Sequence, residues 1–139
     1  MRRYAVLSLV FLLLLPLACS MGILKPNEIE PWLAGISGDK PADLDISGKW
    51  RDGTGQLLFG WGKGYLKQEK NRVRGAIGNY NVTGVVSGKN VYLVFVYGGE
   101  VYYTLRLEMM EDGVLTGSYF AADDRKQVRG YPTSLMKQD

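Results

Sequence analysis

The chain has 139 residues, of which 46% are hydrophobic and 22% are charged, and this composition predicts one globular domain and excludes a disordered chain. It contains only one cysteine and no histidine, and histidine is both the commonest general base and the commonest metal-binding side chain. We therefore expect no enzyme activity, no metal site and no cofactor. The net charge of +3 includes Arg2 and Arg3, no acidic residue precedes Cys19, and the rest is near neutral, which argues against nucleic acid as a partner.

Residues 1–18 have the pattern of a secretory signal peptide. Arg2 and Arg3 form a positive start, an apolar stretch follows from Tyr4 to Leu15, and Ala18 supplies a small residue before the cleavage point. The apolar stretch is shorter than the roughly 20 residues that a membrane-spanning helix needs. We therefore expect a cleaved leader over 1–18.

The single cysteine, Cys19, ends the stretch LPLAC. This stretch resembles the lipobox of bacterial lipoproteins, in which a small residue precedes a cysteine that is diacylated and becomes the new N-terminus. The resemblance implies a diacylglyceryl group on Cys19, attachment to the bacterial cell envelope and, because Ser20 follows, location at the outer membrane facing the periplasm. Several acyl chains at about 0.8 kcal/mol per buried methylene give stable attachment. The alternative is an ordinary secreted protein with a cysteine near its cleavage site.

Residues 19–45 are predicted to be a lipidated N-terminus followed by a flexible tether. The stretch contains three prolines and three glycines and shows no sustained period of 2 or 3.6 residues. As a coil it would reach about 28 Å. Within it Trp32 lies in an apolar stretch, and we expect this side chain to dock on the domain, the alternatives being the cap of a barrel end or a contact with a partner.

Alternating apolar and polar residues, broken by turn residues, begin at residue 46. In the clearest strand, 100–109, the side chains of Val101, Tyr103 and Leu105 are predicted to share the core-facing side. The strand before it, 90–97, is apolar on both faces, so its outer face should be covered by the tether, a terminal segment or another molecule. Other strands are predicted at 46–50, 64–68, 71–78, 80–87, 113–120 and 126–132, with 55–61 as a possible short one.

All the predicted connections are short, so the strands should form an antiparallel meander. Closing about seven or eight strands into a small barrel over 46–132 would remove the exposed edges, and we predict this all-β fold. Glycines within the strands, Gly75, Gly84 and Gly117, fit the tight curvature of such a barrel. Residues 133–139 are predicted to be a C-terminal tail.

The motif Gly48-Lys49-Trp50 opens the first predicted strand, and Arg129 lies in the last one. With the meander between them, these residues resemble the calycin group of lipocalin-like and avidin-like barrels. The resemblance implies that Trp50 packs across the base of the barrel and that Arg129 lies over its ring in a cation–π contact. The alternative is a core tryptophan and an exposed arginine with no mutual contact.

The chain has nine tyrosines, and most of them fall in predicted strands. Inside a barrel, tyrosines line pockets with an apolar ring and a hydrogen-bonding tip, whereas outside a sheet they pair across strands. The candidate ligand-binding residues are Tyr80, Tyr92, Tyr103 and Tyr119. We expect a non-catalytic binding module for a small hydrophobic or amphipathic ligand or an envelope component. The alternative is a structural or assembly accessory that binds a protein through the apolar strand 90–97.

Overall fold

The computed structural model describes residues 24–37, 40–55, 60–123 and 128–139. The predicted signal peptide, Cys19 and most of the possible strand 55–61 lie outside these residues. After a short 3-10 turn at Pro26–Glu28 comes one helix, α1, at Ile29–Ser37. Eight strands follow: β1 (Gly48–Asp52), β2 (Lys63–Glu69), β3 (Arg72–Ile77), β4 (Tyr80–Ser87), β5 (Asn90–Tyr97), β6 (Glu100–Met109), β7 (Val114–Ala121) and β8 (Tyr131–Gln138).

The eight strands form a closed barrel in which each strand pairs antiparallel with the next and β8 pairs with β1. This confirms the predicted all-β meander. A Cβ built on Gly84 would overlap the Tyr92 carbonyl oxygen, and one on Gly117 would overlap that of Arg106, so neighbouring backbones approach where only glycine fits. In the described part of the chain, no helix combines the length and the apolarity needed to cross a bilayer.

The closing strand β8 lies further along the chain than predicted. Of the expected last strand 126–132, only residues 131–132 are strand in the described part, 128–130 precede β8, and 126–127 lie outside the described residues. The expected tail 133–139 is wrong, because β8 spans Tyr131–Gln138. Only Thr133 and Leu135 of this strand are buried, and Pro132 stands near its start. Proline is tolerated at the beginning of a strand, but here it obscured the alternation in the sequence.

The interior of the barrel is packed with side chains, and Trp50 lies toward the end of the barrel at which β1 begins, which we call the base. Trp50 is fully buried and its indole nitrogen donates to the Ile46 carbonyl oxygen at 2.8 Å. Gln68 holds the segment before β1 in place, since its side chain accepts from the Ile46 backbone nitrogen at 2.9 Å and donates to the Leu44 carbonyl at 2.8 Å. The buried core comprises Ile46, Trp50, Leu66, Val73, Ile77, Val82, Val86, Val91, Leu93, Phe95, Leu105, Leu107, Leu115 and Leu135.

The cation over the Trp50 ring belongs to Lys137, with its Nζ 5.9 Å from the ring centre. Trp50 and Lys137 are direct partners in the pairing of β1 with β8. The expected contact with Arg129 is wrong, because Arg129 is an exposed residue that precedes β8. Tyr131 lies six positions before Lys137 in β8, which at about 3.3 Å per residue puts the Arg129 end of β8 roughly 20 Å from Trp50.

Helix α1 covers the outer face of β4 and β5. Leu33 is fully buried against a second apolar cluster that includes Val85 and Val94, with Trp32 packed half-buried beside it. The covering that strand 90–97 was expected to need is therefore supplied by the segment expected to be the tether. Glu30 of α1 also forms an ion pair with Arg72 of β3. Leu24, Ile29 and Leu33 are buried on the barrel, so the segment from Leu24 through α1 does not extend away from it.

A register shift next to Val96 changes which side chains of β6 face inward. Phe95 pairs with Tyr103 but Val96 pairs with Val101, so Tyr102 is an extra residue on β6. Because of this bulge Val101 belongs to the outer cluster under α1, and its predicted place on the same face as Tyr103 is wrong.

Candidate functional site: an aromatic cleft at the open end of the barrel

Trp61 occupies the end of the barrel opposite the base. It lies two residues before β2 in the connection that follows β1, and Gly62 next to it has φ +83°, a conformation that favours glycine. The indole nitrogen donates to Thr133 Oγ1 at 2.7 Å. Thr133 is 4% exposed, so this bond satisfies a polar group inside the barrel.

Four aromatic rings, one from each of β4, β5, β6 and β7, surround Trp61. Its ring centre lies 4.9 Å from that of Phe95, 5.1 Å from Tyr103 and 5.2 Å from Tyr119. Tyr80 stands at 6.2 Å. The planes of all four rings are steeply inclined to the indole, and such edge-to-face pairs contribute about 0.5 to 1.5 kcal/mol each beyond burial. Trp61 is therefore held firmly in one place.

The aromatic surface continues outward to solvent. Tyr131 stacks on Tyr119 with 5.4 Å between ring centres, and 53% of it is exposed. On another side of the barrel end, Tyr97 and Tyr102 each contact Tyr80 with about half of their own surface exposed. Rings that are packed on one side and open on the other can receive a ligand without first unfolding.

A cleft of about 940 Å³ opens among these rings, within the usual size range of small-molecule sites. The β1–β2 connection borders it on one side and β7 and β8 on the other. We call it the aromatic cleft, and its described lining residues are Asp52, Thr54, Gly60, Trp61, Tyr80, Tyr103, Val114, Thr116, Tyr119, Tyr131, Pro132, Thr133 and Ser134.

Asp52 is the one charged group among the described lining residues of the aromatic cleft. Its carboxylate accepts from the Thr54 backbone nitrogen at 3.0 Å and from the Thr54 hydroxyl at 2.8 Å. Hydroxyls of threonine, serine and tyrosine supply the remaining polar side-chain lining. Because no described lysine or arginine lines the cleft, its chemistry suits a neutral or cationic ligand better than an anionic one.

Tyr80 has a partly buried phenol close to other phenols. Burial raises the pKa of Tyr80 above its ordinary value of 10.0, and the neighbouring phenols of Tyr103 and Tyr102 raise it further. Each effect disfavours the ionised form. Tyr80 therefore stays a neutral hydrogen-bonding group at physiological pH.

Three of the four candidate tyrosines, Tyr80, Tyr103 and Tyr119, come together in the aromatic cleft. Tyr92 does not, because Leu93 and Phe95 face inward and Tyr92 packs on the outer face in the cluster beneath α1. The signature residues Gly48 and Trp50 lie at the first strand and the base, away from the cleft.

Sequence reasoning missed Trp61, Tyr131, Thr133 and Asp52 as lining residues of the aromatic cleft. Tyr131 and Thr133 fell at the boundary between the predicted last strand and the predicted tail. For Trp61 the available signal was a large aromatic residue between two glycines in a connection, where a turn can return the side chain toward the barrel.

Within the described residues, no three side chains of the metal-binding types are grouped to hold an ion. The aromatic cleft thus has the features of a binding site: packed rings, hydroxyls and one carboxylate.

Comparisons of the chain with known protein families, with curated proteins and with solved structures return no match.

Proposed function

We propose that this chain is a lipid-anchored bacterial envelope protein whose barrel binds a small amphipathic ligand in the aromatic cleft, without catalysis. The observation that carries the proposal is the cleft of about 940 Å³ lined by Trp61 and four tyrosines. A folded protein normally pairs or buries such rings, and a concave, partly exposed group of them is typical of a ligand site.

The packed interior favours a ligand position at the end of the barrel over one in its centre. Phe95 and Leu93 are fully buried below the rings, among the side chains that fill the core. An apolar part of the ligand would contact the rings of Tyr119 and Tyr131, while its polar part would meet the hydroxyls and Asp52.

The apolar strand 90–97 offers little support for the alternative of a protein-binding accessory. That alternative needs the outer face of the strand to be accessible. Val94 is fully buried and Val85 is 2% exposed beneath α1, so the chain already covers this face itself.

The anchor rests on the lipobox resemblance at Cys19, and the fold adds a distance limit to it. Leu24 is already packed on the barrel, five residues after Cys19. Five residues span at most about 18 Å, so a lipid on Cys19 would hold the barrel against the membrane surface. Such a protein would sample ligands in the headgroup layer or close to it.

Ligand binding can be tested with three water-soluble probes that share one alkyl chain: hexyl glucoside, hexyltrimethylammonium and hexanoate. The full chain in lipid nanodiscs is titrated while tryptophan emission is recorded, and Trp61→Phe assigns the signal. We expect saturable changes with the neutral and cationic probes and weaker binding of hexanoate, since Asp52 repels it. Saturable binding should weaken in Tyr119→Ala.

The matched control is Tyr65→Ala, which truncates an exposed tyrosine on the outer side of β2 that does not line the cleft. Equal titrations for Tyr119→Ala and Tyr65→Ala would refute binding in the aromatic cleft. So would an emission change that rises without saturation for all three probes.

Lipid attachment is tested in cells by incorporation of labelled palmitate. We expect the wild-type chain to carry the label and Cys19→Ser to lose it, with cleavage before residue 19 lost at the same time. Ser20→Ala is the control because it changes the neighbouring residue and keeps the thiol. Label that persists in Cys19→Ser would refute the anchor.

A further inference from the structure

The outer side of the first three strands is strongly basic. Side chains alternate along each strand, and the buried Trp50, Leu66 and Val73 fix which positions face inward. The opposite positions on β1, β2 and β3 form what we call the basic face, which carries the cations Lys49, Arg51, Lys63, Lys67, Arg72 and Arg74.

Two pairs of like charges stand directly opposite each other on the basic face. Arg51 pairs with Lys63 between β1 and β2, and Lys67 pairs with Arg74 between β2 and β3. Like charges in directly opposed positions destabilise a sheet. These pairs do not stabilise the barrel, so we infer that the cations have a role in binding something outside it.

The basic face is only partly neutralised by the chain itself. Glu69 forms an ion pair with Lys67 at 3.0 Å, and Glu30 from α1 pairs with Arg72. The other four cations form no ion pair with any described residue. Carboxylates that would balance them, such as Glu108 and Glu111, lie on and beyond β6.

Tyr65 stands in the middle of the basic face. It is 53% exposed, and its direct partners on the neighbouring strands are Lys49 and Ala76. A tyrosine with an accessible ring and a polar tip is typical of side chains that lie at the headgroup level of a bilayer. Lysine and arginine around it would reach the phosphates with their long stems.

We propose that the basic face lies against the phosphate groups of an anionic lipid bilayer, so that the barrel rests on the membrane by its β1–β3 side. The proposal rests on the membrane attachment in the proposed function, which keeps the barrel within about 18 Å of the surface. The outer side of a barrel is convex and the cations are spread over three strands, which fits a broad plane of headgroups better than one polymer strand. Each basic side chain near such a surface contributes roughly fivefold to association.

The test measures how fast individual lysines are acetylated in the full chain reconstituted into vesicles, with mass spectrometry to resolve each site. Lys49 and Lys63 report on the basic face, and Lys40 and Lys89, exposed near the base, are internal controls. Vesicles contain phosphatidylcholine alone or equal parts of phosphatidylglycerol and phosphatidylethanolamine. We expect several-fold slower acetylation of Lys49 and Lys63 in the anionic vesicles only, with Lys40 and Lys89 unchanged.

Two variants separate membrane contact from a structural role. Arg51→Gln with Arg74→Gln removes one member of each like-charged pair. This double substitution should lower the equilibrium constant for association of the basic face with the membrane by roughly 25-fold and so abolish most of the protection. Its melting temperature should stay equal or rise, since repulsion is removed. Lys40→Gln with Lys89→Gln makes the same change in net charge and should leave the protection intact. High salt should remove the protection in the wild type.

Several outcomes would overturn the proposal. Equal acetylation of Lys49 and Lys63 in both vesicle types, on protein that stays attached, refutes the basic face as the membrane side and leaves the anchor standing. Protein that fails to remain on either type of vesicle refutes both the lipid anchor and the membrane contact of the basic face. If duplex DNA or a soluble polysaccharide sulfate protects the lysines on phosphatidylcholine vesicles as well as anionic lipid does, the face recognises polyanions in general and the proposal is wrong.

Discussion

The indole nitrogen of Trp61 donates to the hydroxyl of Thr133, 72 residues later in the chain, over 2.7 Å. This bond joins the β1–β2 connection to the last strand across the open end of the barrel. The aromatic cleft therefore depends on barrel closure, because β8 supplies Tyr131 and the acceptor that positions Trp61. A single polar contact in an apolar setting fixes the orientation of the central ring.

Replacing Thr133 by valine should destabilise the barrel and loosen Trp61. The part-buried indole N–H would lose its acceptor, which costs about 1 kcal/mol in the free energy of unfolding. Thr133→Ser keeps the hydroxyl and should recover most of that loss. Denaturant unfolding and the tryptophan emission maximum report the two effects. Identical stability of the valine and serine variants would show that the bond is not made in solution.

Replacing Leu33 by alanine should detach α1 from the barrel. Leu33 is fully buried in the cluster over β4 and β5, and truncating such a leucine costs about 2 to 5 kcal/mol. The exposed outer face of β5 should then bind a hydrophobic dye. Met110→Ala, at a residue that is 49% exposed, serves as the control and should change neither measurement. Unfolding and dye binding like the wild type would mean that α1 does not cover this face.

The strands β2 to β7 could be predicted closely from the sequence because turn residues separate them and all except β5, which is apolar on both faces, alternate. Helix α1 could not, since Pro31 and Gly35 interrupt its pattern. Among the helix residues whose burial the structure describes, Ile29 and Leu33, four residues apart, mark the buried side, and Pro31 is acceptable because it stands in the first turn.

The aromatic cleft could be predicted only in part, since it depends on side-chain direction. Inward positions of Tyr80, Tyr103 and Tyr119 follow once the barrel closes, but the opposite direction of Tyr92 depends on its register in β5. The bulge beside Tyr102 is a tertiary feature that no local pattern marks. Trp61 lies outside any strand, so periodicity could not place it.

Replacing Thr83 by valine should stabilise the protein. Thr83 Oγ1 is buried and has no hydrogen-bond partner among the described residues. Folding therefore removes this hydroxyl from water without a compensating hydrogen bond, which lowers stability. Valine keeps the shape and suits a strand, and we expect about 1 kcal/mol of added stability. The same chemical change at Thr133 should have the opposite sign. Denaturant unfolding of both variants provides the comparison, and a loss at Thr83 would reveal a partner that the hydroxyl uses in solution.

The barrel should lose stability in alkaline solution partly through Tyr80. Its folded pKa is raised by burial and by the nearby Tyr103 and Tyr102, so the folded state holds this proton more tightly than the unfolded state. Stability is therefore unaffected below the ordinary value of 10.0 and falls as pH rises from there through the raised pKa. In Tyr80→Phe this component of the fall should be absent, whereas Tyr65→Phe should retain it. In tyrosinate absorbance, Tyr80→Phe should remove a phenol that titrates above the ordinary value of 10.0, and loss of a phenol that titrates at that value would contradict the burial.

Native mass spectrometry of the full-length gene product, extracted gently from bacterial membranes, tests anchoring and ligand binding together. We predict a polypeptide that begins at Cys19 and carries a diacylglyceryl group, together with a neutral or cationic small molecule that Tyr119→Ala fails to retain and Tyr65→Ala retains. An unprocessed chain with a free thiol at Cys19 and no bound small molecule would contradict the account.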